Sequence, residues 1–280
     1  MIETNKVYEM DAFELLQQLP DKYVDAVVID PPFGIGFKYE KKEENNNPDE
    51  YWSWLKPIYE ECLRVLKDGG FIAIWQTQLY FKFFWSWFGD DIQIYAGCKN
   101  FVQLRKTAIN RGYDPIIMKY KPANELLRPK KPKRNIDFFV ANTAKWVTQT
   151  EDIVRKHPCP RPIDQVEQII ENFTIPNGLV LDCFVGSGTT AVACKKLNRN
   201  FICCDNNAGY VEIANKRLAQ QSVADFTSAT PTLAKPKEFN KGLEVSATPT
   251  PKSPSATSPN PNIMFNSDKA LVGMEKQDGN

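Results

Sequence analysis

The segment Asp30-Pro31-Pro32-Phe33 combines residue types that could act on an aromatic amino group. Its two prolines fix the backbone φ angle and remove two N–H donors, so the carbonyls of this turn can accept hydrogen bonds from a ligand. Asp30 adds a carboxylate that only accepts hydrogen bonds when ionised, and Phe33 adds a flat apolar ring. Acceptors on both N–H bonds of an aromatic amine would raise the electron density on its nitrogen. A strand-ending Asp-Pro turn with a core phenylalanine is the alternative interpretation.

A second candidate site is the glycine-rich turn in LDCFVGSGTT, residues 181–190. Gly186 and Gly188 let the backbone turn sharply and approach a ligand without an intervening Cβ, and the helix that follows begins with unpaired N–H groups. Asp205 ends the next apolar run about twenty residues later, where a carboxylate can accept hydrogen bonds from a ribose diol. Two glycines and a threonine suit a single nucleoside better than a pyrophosphate. Tight packing alone is the alternative reason for these glycines.

The overall charge is nearly balanced, with 35 Lys and Arg against 34 Asp and Glu, but one stretch is strongly basic. Between residues 99 and 134 there are eleven basic residues and only two acidic ones, Asp114 and Glu125. A local basic stretch matters more to a polyanion than the global sum of charges. The basic residues are Lys99, Arg105, Lys106, Arg111, Lys119, Lys121, Arg128, Lys130, Lys131, Lys133 and Arg134.

The elements that must position these residues are predicted from apolar patterning. Apolar runs that suit buried strands are residues 25–30, 71–75, 116–120, 179–184 and 201–205. Helical spacing is found in residues 51–67, 190–198 and 210–218. In the first helix, Trp54, Ile58 and Cys62 recur on one face, and Asp68-Gly69-Gly70 is expected to end it. The alternation predicts a parallel α/β sheet, in which both motifs follow strand ends, where such sheets bind ligands.

The composition divides the chain near residue 221. Residues 1–220 are rich in aromatic and aliphatic side chains and predict one catalytic domain, in which the basic, proline-rich segment 121–156 is an insertion. Residues 221–280 are rich in Ser, Thr, Pro, Ala and Lys, and they predict a disordered tail because they cannot bury enough apolar surface to offset their ordering entropy. The aromatic segment 81–88 predicts a buried helix, with a subunit interface as the alternative.

Cysteine usage and the N-terminus bear on the compartment. The seven cysteines show no zinc-ligand spacing, so no metal site is expected. The first residues contain no apolar signal core, and no apolar window approaches the length of a membrane span. A reduced, cytosolic protein without a membrane partner is the expectation.

Taken together, the two motifs resemble those of the DNA amino-methyltransferases. That family has a catalytic tetrapeptide Asp/Asn/Ser-Pro-Pro-aromatic and a cofactor motif Phe-x-Gly-x-Gly-Thr, which match residues 30–33 and 184–189. The catalytic motif precedes the cofactor motif, as in the permuted group called the β class. The resemblance covers about residues 6–218. The chain departs from the family in having Phe33 instead of the more usual tyrosine, a short recognition segment, and a long tail.

The resemblance implies a Rossmann-like class I methyltransferase sheet, mostly parallel with helices on both faces, and a small basic insertion. It implies S-adenosylmethionine as the cofactor, with Asp11-Ala12 at its adenine and His157-Pro158 with Arg161 at its methionine part. The other cofactor residues that it implies are Asp30, Asp182, Phe184, Gly186, Ser187, Gly188, Thr189, Asp205 and Asn206. Double-stranded DNA is the implied substrate, with phosphate contacts from Lys99, Arg105, Lys106, Arg111, Arg128, Lys130, Lys131, Lys133 and Arg134.

The predicted reaction is methylation of N6 of adenine, because Asp30 stands where N4-cytosine enzymes of the family tend to have serine. N4-cytosine methylation is the first alternative, and methylation of RNA or of a protein glutamine amide is the second. A nucleotide-binding oxidoreductase, or a nucleic-acid-binding module with an inactive site, is a third. The expected setting is the cytoplasm, with the protein encoded by a prokaryote or a phage and associated with the nucleoid. A homodimer and a cognate restriction endonuclease are partners that the sequence leaves open.

Overall fold

The apolar runs of the sequence form the strands of one mixed sheet in the computed structural model of the chain. The structure describes residues 2–34, 38–39, 42–43, 47–89, 91–99, 112–130, 132–133, 137–141, 157 and 160–227. The strands are β1 (Lys6–Glu9), β2 (Val24–Ile29), β3 (Lys38–Tyr39), β4 (Lys42–Glu43), β5 (Leu66–Trp75), β6 (Gln93–Lys99), β7 (Tyr113–Tyr120), β8 (Phe138–Ala141), β9 (Leu179–Asp182) and β10 (Asn200–Asp205). The α-helices are α1 (Ala12–Gln17), α2 (Pro48–Val65), α3 (Phe81–Phe88), α4 (Ile163–Phe173), α5 (Thr189–Lys196) and α6 (Ala208–Thr227).

Within these residues, eight strands pair in the order β1-β10-β9-β2-β5-β7-β6-β8, and β3 and β4 form a separate antiparallel pair. The strands β1, β10, β9, β2 and β5 are all parallel to one another. Strand β7 runs antiparallel to both of its neighbours, β5 and β6. The predicted α/β sheet is therefore mostly parallel, as expected.

The sheet is covered by helices on both faces, as predicted. On β2, Val27 and Ile29 belong to one core cluster, and Ala26 and Val28 belong to a second cluster on the opposite face. Helices α1, α2 and α3 contribute to the first cluster, whereas α4 and α5 contribute to the second. Burial of a large aliphatic side chain stabilises the folded state by about 1.5–3 kcal/mol. The apolar residues that alternate along β2 therefore require helices on both faces of the sheet.

Strand β7 differs from its prediction in direction. The apolar run 116–120 was expected to join a parallel sheet, yet it pairs antiparallel with β5, with Ile117 opposite Ile74. A run that is apolar on both sides indicates that both faces are covered, and it carries no information on strand direction.

Helix α2 also differs from its predicted bounds. Asn47 caps it by accepting hydrogen bonds from the backbone N–H groups of Asp49 and Glu50, so it begins earlier than expected. Strand β5 starts at Leu66, directly after the helix, and contains the Asp-Gly-Gly sequence that was expected to end the helix. Trp54, which was predicted on the buried face, is 45% exposed.

The segment after β7 returns to the start of β5. The Gly69 N–H donates to the Lys121 carbonyl (2.9 Å), the Lys121 N–H donates to the Gly70 carbonyl (2.8 Å), and the Leu127 N–H donates to the Gly69 carbonyl (2.8 Å). Gly69 has φ +75°, and a Cβ there would lie 2.2 Å from the Glu125 carbonyl oxygen. Only glycine fits such an approach. The beginning of the predicted insertion is thus bonded to the sheet.

The predicted insertion and tail are only partly described. Residues 138–141 of the insertion form β8, and residues 142–156 lie outside the described residues. Helix α6 extends to Thr227, beyond residue 220, and residues 228–280 of the predicted tail also lie outside the described residues. In the described part of the chain, no helix has the length and apolarity needed to cross a membrane.

Candidate active site

The Asp-Pro-Pro-Phe turn and the glycine-rich turn lie at the same edge of the sheet. Each follows the carboxyl end of its strand, and these strands, β2 and β9, are parallel neighbours with Val27 opposite Leu181. Their outer neighbours diverge, since β9 continues to β10 and β2 continues to β5. Ligands of open α/β sheets bind at such a point, outside the carboxyl ends of the strands. The negative charge of Asp30 contributes to the raised pKa of Asp182, which also indicates that the two turns are close.

Asp30 is held by an arginine that the sequence assigned to another role. Arg161 donates from Nε to Asp30 Oδ2 (2.6 Å) and from Nη2 to Asp30 Oδ1 (2.7 Å). Its third nitrogen, Nη1, donates to Asp114 Oδ2 (2.8 Å). All three side chains are mostly buried. A two-point contact between guanidinium and carboxylate fixes the carboxylate plane.

Aromatic rings lie beside this ion pair. The guanidinium carbon of Arg161 is 5.3 Å from the ring centre of Phe33 and 5.9 Å from that of Trp75, at the end of β5. Cations are attracted to aromatic faces at such distances. Phe33 packs against the second core cluster, which includes Trp75 and Val185. Its ring is therefore held beside the Arg161 guanidinium, which in turn bonds Asp30.

Two tyrosines hold the backbone of the Asp-Pro-Pro-Phe turn. The Tyr51 hydroxyl donates to the Pro32 carbonyl and accepts from Nε2 of Gln76 (3.0 Å), while the Tyr80 hydroxyl donates to the Gly34 carbonyl (2.8 Å). Gly34 has φ +60°, and a Cβ there would lie 2.5 Å from the Tyr51 ring. No hydrogen bond to the Pro31 carbonyl is found within the described residues, so this carbonyl can accept from a ligand.

The two glycines of the second turn have different surroundings. Both have positive φ, +50° at Gly186 and +86° at Gly188. A Cβ at Gly186 would lie 2.7 Å from Nε2 of His157, whereas one at Gly188 would lie 2.6 Å from the Cβ of Ala214 in α6. Gly188 therefore permits close packing of α6 against the turn, and Gly186 permits close packing of the His157 ring against it.

Asp205 is bonded to the glycine-rich turn. Its Oδ2 accepts from the Gly186 N–H (3.0 Å) and its Oδ1 accepts from the Asn207 N–H (2.9 Å). Burial raises the pKa of this carboxyl, and the two backbone hydrogen bonds oppose that change. Asn206, which lies between Asp205 and Asn207 in the sequence, is exposed. Asp205, the predicted hydrogen-bond acceptor for the ribose, therefore also anchors the glycine-rich turn. A nucleoside would lie beside this turn.

Asp182 lies beneath the same turn. It is 3% exposed and accepts from the Phe184 N–H (2.9 Å). Burial raises its pKa to about 7, partly opposed by hydrogen bonds from Thr190 and from the Phe184 backbone. Its contacts support the backbone of the turn from inside the protein.

A buried arginine that the sequence did not reveal lies under the turn. Arg217 of α6 donates from Nη1 to the Ser187 carbonyl (2.6 Å) and lies 3.3 Å from the Thr189 hydroxyl. Ser187 and Thr189, both predicted to contact the cofactor, are themselves buried. Arg217 was missed because it occupies one position in an ordinary amphipathic helix, with no local motif around it.

His157 packs beside the turn as a neutral ring. Its ring centre is 4.4 Å from that of Tyr210. Burial, with smaller contributions from the positive charges of Arg161 and Arg217, lowers the pKa of His157 to about 4. The imidazole is therefore uncharged at neutral pH. Its predicted companion Pro158 lies outside the described residues.

Asp11 lies where β1 meets the end of β10. It caps α1, with Oδ1 accepting from the N–H groups of Phe13 (2.8 Å) and Glu14 (3.4 Å). The Met10 N–H donates to the Asp205 carbonyl (3.1 Å), which brings the two aspartates to the same edge. No hydrogen bond to Asp11 Oδ2 is found in the described part of the chain, so an acceptor remains for a ligand amino group. Ala12, its predicted partner, is buried.

Trp54 links the two turns. Its ring centre is 5.7 Å from that of Tyr51, which bonds the Asp-Pro-Pro-Phe turn, and 6.2 Å from that of Phe184 in the glycine-rich turn. The sequence placed Trp54 in the core. Its exposed indole instead stands at the surface between the two motifs.

The basic stretch is only partly described. Of the predicted phosphate contacts, Arg128, Lys130 and Lys133 are described, and Lys133 pairs with Glu171 (2.5 Å). Only the backbone of Lys99 is described. Predicted contacts that lie outside the described residues are Arg105, Lys106, Arg111, Lys131 and Arg134.

Two further lysines of this stretch have structural partners. The ammonium group of Lys119 contacts Asp91, and that of Lys121 donates to two backbone carbonyls at the end of α2. These two lysines were counted in the basic excess, but their charges are engaged within the fold. Over the described residues, no group of three or more His, Cys, Asp or Glu side chains could hold a metal ion.

Comparisons with known proteins agree with the sheet and the two motifs described above. A family model described as "DNA methylase" matches residues 24–216. Type II methyltransferase M1.MboII of Moraxella bovis is 31% identical over 265 residues, which cover 80% of this chain and 100% of the relative. The crystal structure of the M1.HpyAVI–SAM complex has a TM-score of 0.58 at 24% identity, covering 76% of this chain and 98% of that one. The PvuII DNA methyltransferase (cytosine-N4-specific) has a TM-score of 0.64 at 16% identity, covering 80% and 92%. These two likenesses confirm the Rossmann-like class I methyltransferase sheet.

Proposed function

Since this chain belongs to the DNA methylase family that acts on N6 of adenine or N4 of cytosine, we propose that it methylates N6 of adenine within a short sequence of duplex DNA. The chain is thus a DNA amino-methyltransferase, and the choice of adenine is the finer proposal. The observation that supports the proposal is that Asp30 and the Gly186 turn follow the carboxyl ends of two neighbouring parallel strands, β2 and β9, where open α/β sheets bind ligands.

The residues around the glycine-rich turn fit S-adenosylmethionine. Gly186 lets the turn pack against the His157 ring, which a Cβ would approach to 2.7 Å, and Asp11 Oδ2 would accept from the adenine amino group. Asp205 would accept from the ribose, with Asn206 next to it, and neutral His157 would contact the methionine part without repelling the sulfonium. When bound, S-adenosylmethionine supplies a methyl group that bonds to the target nitrogen as its bond to sulfur breaks, leaving S-adenosylhomocysteine.

The Asp-Pro-Pro-Phe turn would act on the target base. A base within a duplex cannot reach the crevice unless it is flipped out of the stack, and Phe33 offers a fixed ring for it. Asp30 and the Pro31 carbonyl would accept from the two N–H bonds of its amino group. Both acceptors draw electron density onto the nitrogen, and the nitrogen releases its extra proton to solvent after methyl transfer.

Adenine is favoured by the residue type at the first position of the tetrapeptide, since Asp30 stands where N4-cytosine enzymes tend to have serine. N4-cytosine methylation is the competing candidate, because the structure named as cytosine-N4-specific is similar in fold. Methyltransferases of RNA and of protein glutamine that resemble this family usually carry the cofactor motif first in the chain, so the reversed order of the two motifs here favours DNA as the substrate.

DNA phosphates would be bound by the basic stretch, with Arg128, Lys130 and Lys133 as its described members. We place the enzyme in the cytoplasm of a prokaryotic or phage-infected cell, at the nucleoid. A cognate restriction endonuclease and a second copy of the chain are the protein partners that belong to this proposal.

Asp30→Ala tests the proposed catalytic role. We expect methyl transfer to duplex DNA to fall at least about 100-fold, as when other preorganised polar groups are removed from active sites, while the dissociation constant for S-adenosylmethionine changes little. Filter-bound radioactivity gives the rate and calorimetry gives the affinity.

Asp21→Ala is the matched control, since Asp21 is an exposed carboxylate that pairs with Arg64; this variant should keep the wild-type rate. An Asp30→Ala protein that loses cofactor affinity as much as rate would assign Asp30 a binding role instead.

A further inference from the structure

We infer that Arg161 is a positioning residue for methyl transfer, which acts by holding the Asp30 carboxylate in the orientation that receives the target amino group. This inference rests on the proposed function, since it assigns Asp30 the role of acceptor.

The contact between the two side chains is a planar fork. Nε and Nη2 of Arg161 each donate to a different oxygen of Asp30, at 2.6 and 2.7 Å. A carboxylate can accept about four hydrogen bonds through its two oxygens. The fork uses one direction on each oxygen, so acceptor capacity remains for the N–H of a base.

The far side of the guanidinium is also fixed. Nη1 donates to Asp114 of β7 at 2.8 Å, and the rings of Phe33 and Trp75 flank the cation. Arg161 is thus held by the turn after β2, by β7 and by the end of β5. Because its own position is set by these elements, it can impose an orientation on Asp30 instead of following it.

The charges of the cluster suit this role. One guanidinium lies between two carboxylates, so the group as a whole keeps a negative charge that attracts amine N–H donors. An Asp30 carboxylate without the fork could rotate about its Cα–Cβ and Cβ–Cγ bonds, and a displacement of about 1 Å can cost about 100-fold in rate.

This role differs from the one that the resemblance assigned, in which Arg161 holds the methionine part of the cofactor. The two roles predict different losses when Arg161 is changed. A positioning residue affects the rate of methyl transfer at saturating cofactor, whereas a cofactor contact affects the dissociation constant for S-adenosylmethionine.

Arg161→Lys and Arg161→Gln provide the test, measured as single-turnover rates on duplex DNA at saturating cofactor, with cofactor affinity from calorimetry. Lysine keeps the charge but cannot form the fork, so we expect its rate to fall about tenfold, and that of glutamine about 100-fold. The dissociation constant should stay within about threefold of wild type in both. Thermal unfolding checks that each variant folds, and the lysine variant carries the test if the glutamine variant does not.

A double-mutant cycle shows whether Arg161 acts through Asp30. Asparagine at position 30 keeps one acceptor but cannot receive the fork on two oxygens. In the Asp30→Asn background, Arg161→Lys should therefore lower the rate by less than about twofold. Arg64→Lys is the control, because Arg64 also contacts both oxygens of a carboxylate, with Nε donating to Glu61 Oε1 and Nη2 to Glu61 Oε2. Its rate should match wild type.

Three results would overturn the positioning role. The first is a wild-type rate in Arg161→Lys, and the second is a loss of S-adenosylmethionine affinity as large as the loss of rate. The third is an equal loss of rate from Arg161→Lys in the wild-type and the Asp30→Asn backgrounds. A wild-type protein that methylates no DNA would instead contradict the proposed function itself.

Discussion

Asp182 is the buried carboxyl beneath the glycine-rich turn, and burial raises its pKa to about 7, from 3.8 in the unfolded chain. The folded protein therefore binds more protons than the unfolded chain between these values. Stability contributed by this group is lost as the pH rises from about 4 to about 7. His157 has the opposite effect, since its pKa is lowered from 6.5 to about 4 and its contribution rises with pH over that window.

Asp182→Asn should isolate the effect of the carboxyl. Asparagine can still accept from the Phe184 N–H but does not titrate. The free energy of unfolding of the variant, relative to wild type, should therefore be higher at pH 8 than at pH 5, as measured by urea unfolding at both values. A relative stability that is the same at both pH values would show that Asp182 does not titrate as described.

Individual site residues were predictable only where a local motif contains them. Asp30, Phe33, Gly186 and Asp205 follow strand ends, and the sequence shows both the strand and the residue. Arg161 was found, but its bond to Asp30 was not, because a contact between positions 131 apart in sequence leaves no local signal.

Residues on other elements that contact the site residues were not predicted from the sequence. Asp114, Tyr51 and Arg217 lie on β7, α2 and α6, where they look like ordinary strand or helix residues. Their roles depend on the sheet order, which brings these elements to one edge.

At the scale of elements, the glycine-rich turn joins β9 to α5 and also meets α6. From the sequence, Gly186 and Gly188 were both predicted to allow the close approach of a ligand. Their surroundings separate the two functions, since Gly186 faces His157 and Gly188 faces the backbone and Cβ of Ala214.

Alanine substitutions should separate these functions. Gly188→Ala forces a Cβ into α6, so we expect the free energy of unfolding to fall by about 1–3 kcal/mol. Gly186→Ala should weaken S-adenosylmethionine binding by about tenfold, or about 1.4 kcal/mol. Urea unfolding and calorimetry measure the two quantities.

Gly89→Ala is the matched control, because Gly89 has φ +80° but a Cβ there would lie 3.9 Å from its nearest neighbour, Oδ1 of Asp91. With ψ −169°, Gly89 lies in a backbone region that is essentially restricted to glycine, so the variant should show strain of about 1–3 kcal/mol and unchanged cofactor affinity. Equal affinity losses at Gly186 and Gly188 would contradict the division of roles.

Some strands were predicted from the sequence and others were not, and the difference has a physical reason. Strands β2, β5, β9 and β10 are buried on both faces and read as apolar runs. Strand β1 contains no fully buried residue, β6 alternates buried with partly exposed residues, and β8 is short with exposed Phe138 and Val140, so none of them stands out. Sheet order and the direction of β7 depend on long-range pairing, which the apolar pattern does not encode.

At the scale of the whole molecule, nearly balanced charge coexists with a basic stretch. Replacing Arg128, Lys130 and Lys133 together by alanine should weaken DNA binding. Each phosphate contact contributes about 0.9 to the slope of log K against log salt, so the slope should become shallower by about 2 to 3. Fluorescence anisotropy with labelled duplex at several salt concentrations gives the slope.

Lys6 and Lys216 serve as the charge control, because both are exposed lysines that, like Lys133, pair with a glutamate but lie outside the basic stretch 99–134. Their replacement by alanine should leave the slope unchanged. A triple variant with the wild-type slope would place the DNA elsewhere on the protein.

We propose that Asp30 and the Gly186 turn border one crevice in which an adenine amino group is methylated. Incubation of the full chain with isotope-labelled S-adenosylmethionine and duplex DNA, RNA or protein in separate reactions, followed by mass spectrometry of the digested products, tests it most directly. We predict labelled N6-methyladenine from duplex DNA, and none with Asp30→Ala. Labelled N4-methylcytosine, or label in RNA or protein but not in DNA, would contradict the account.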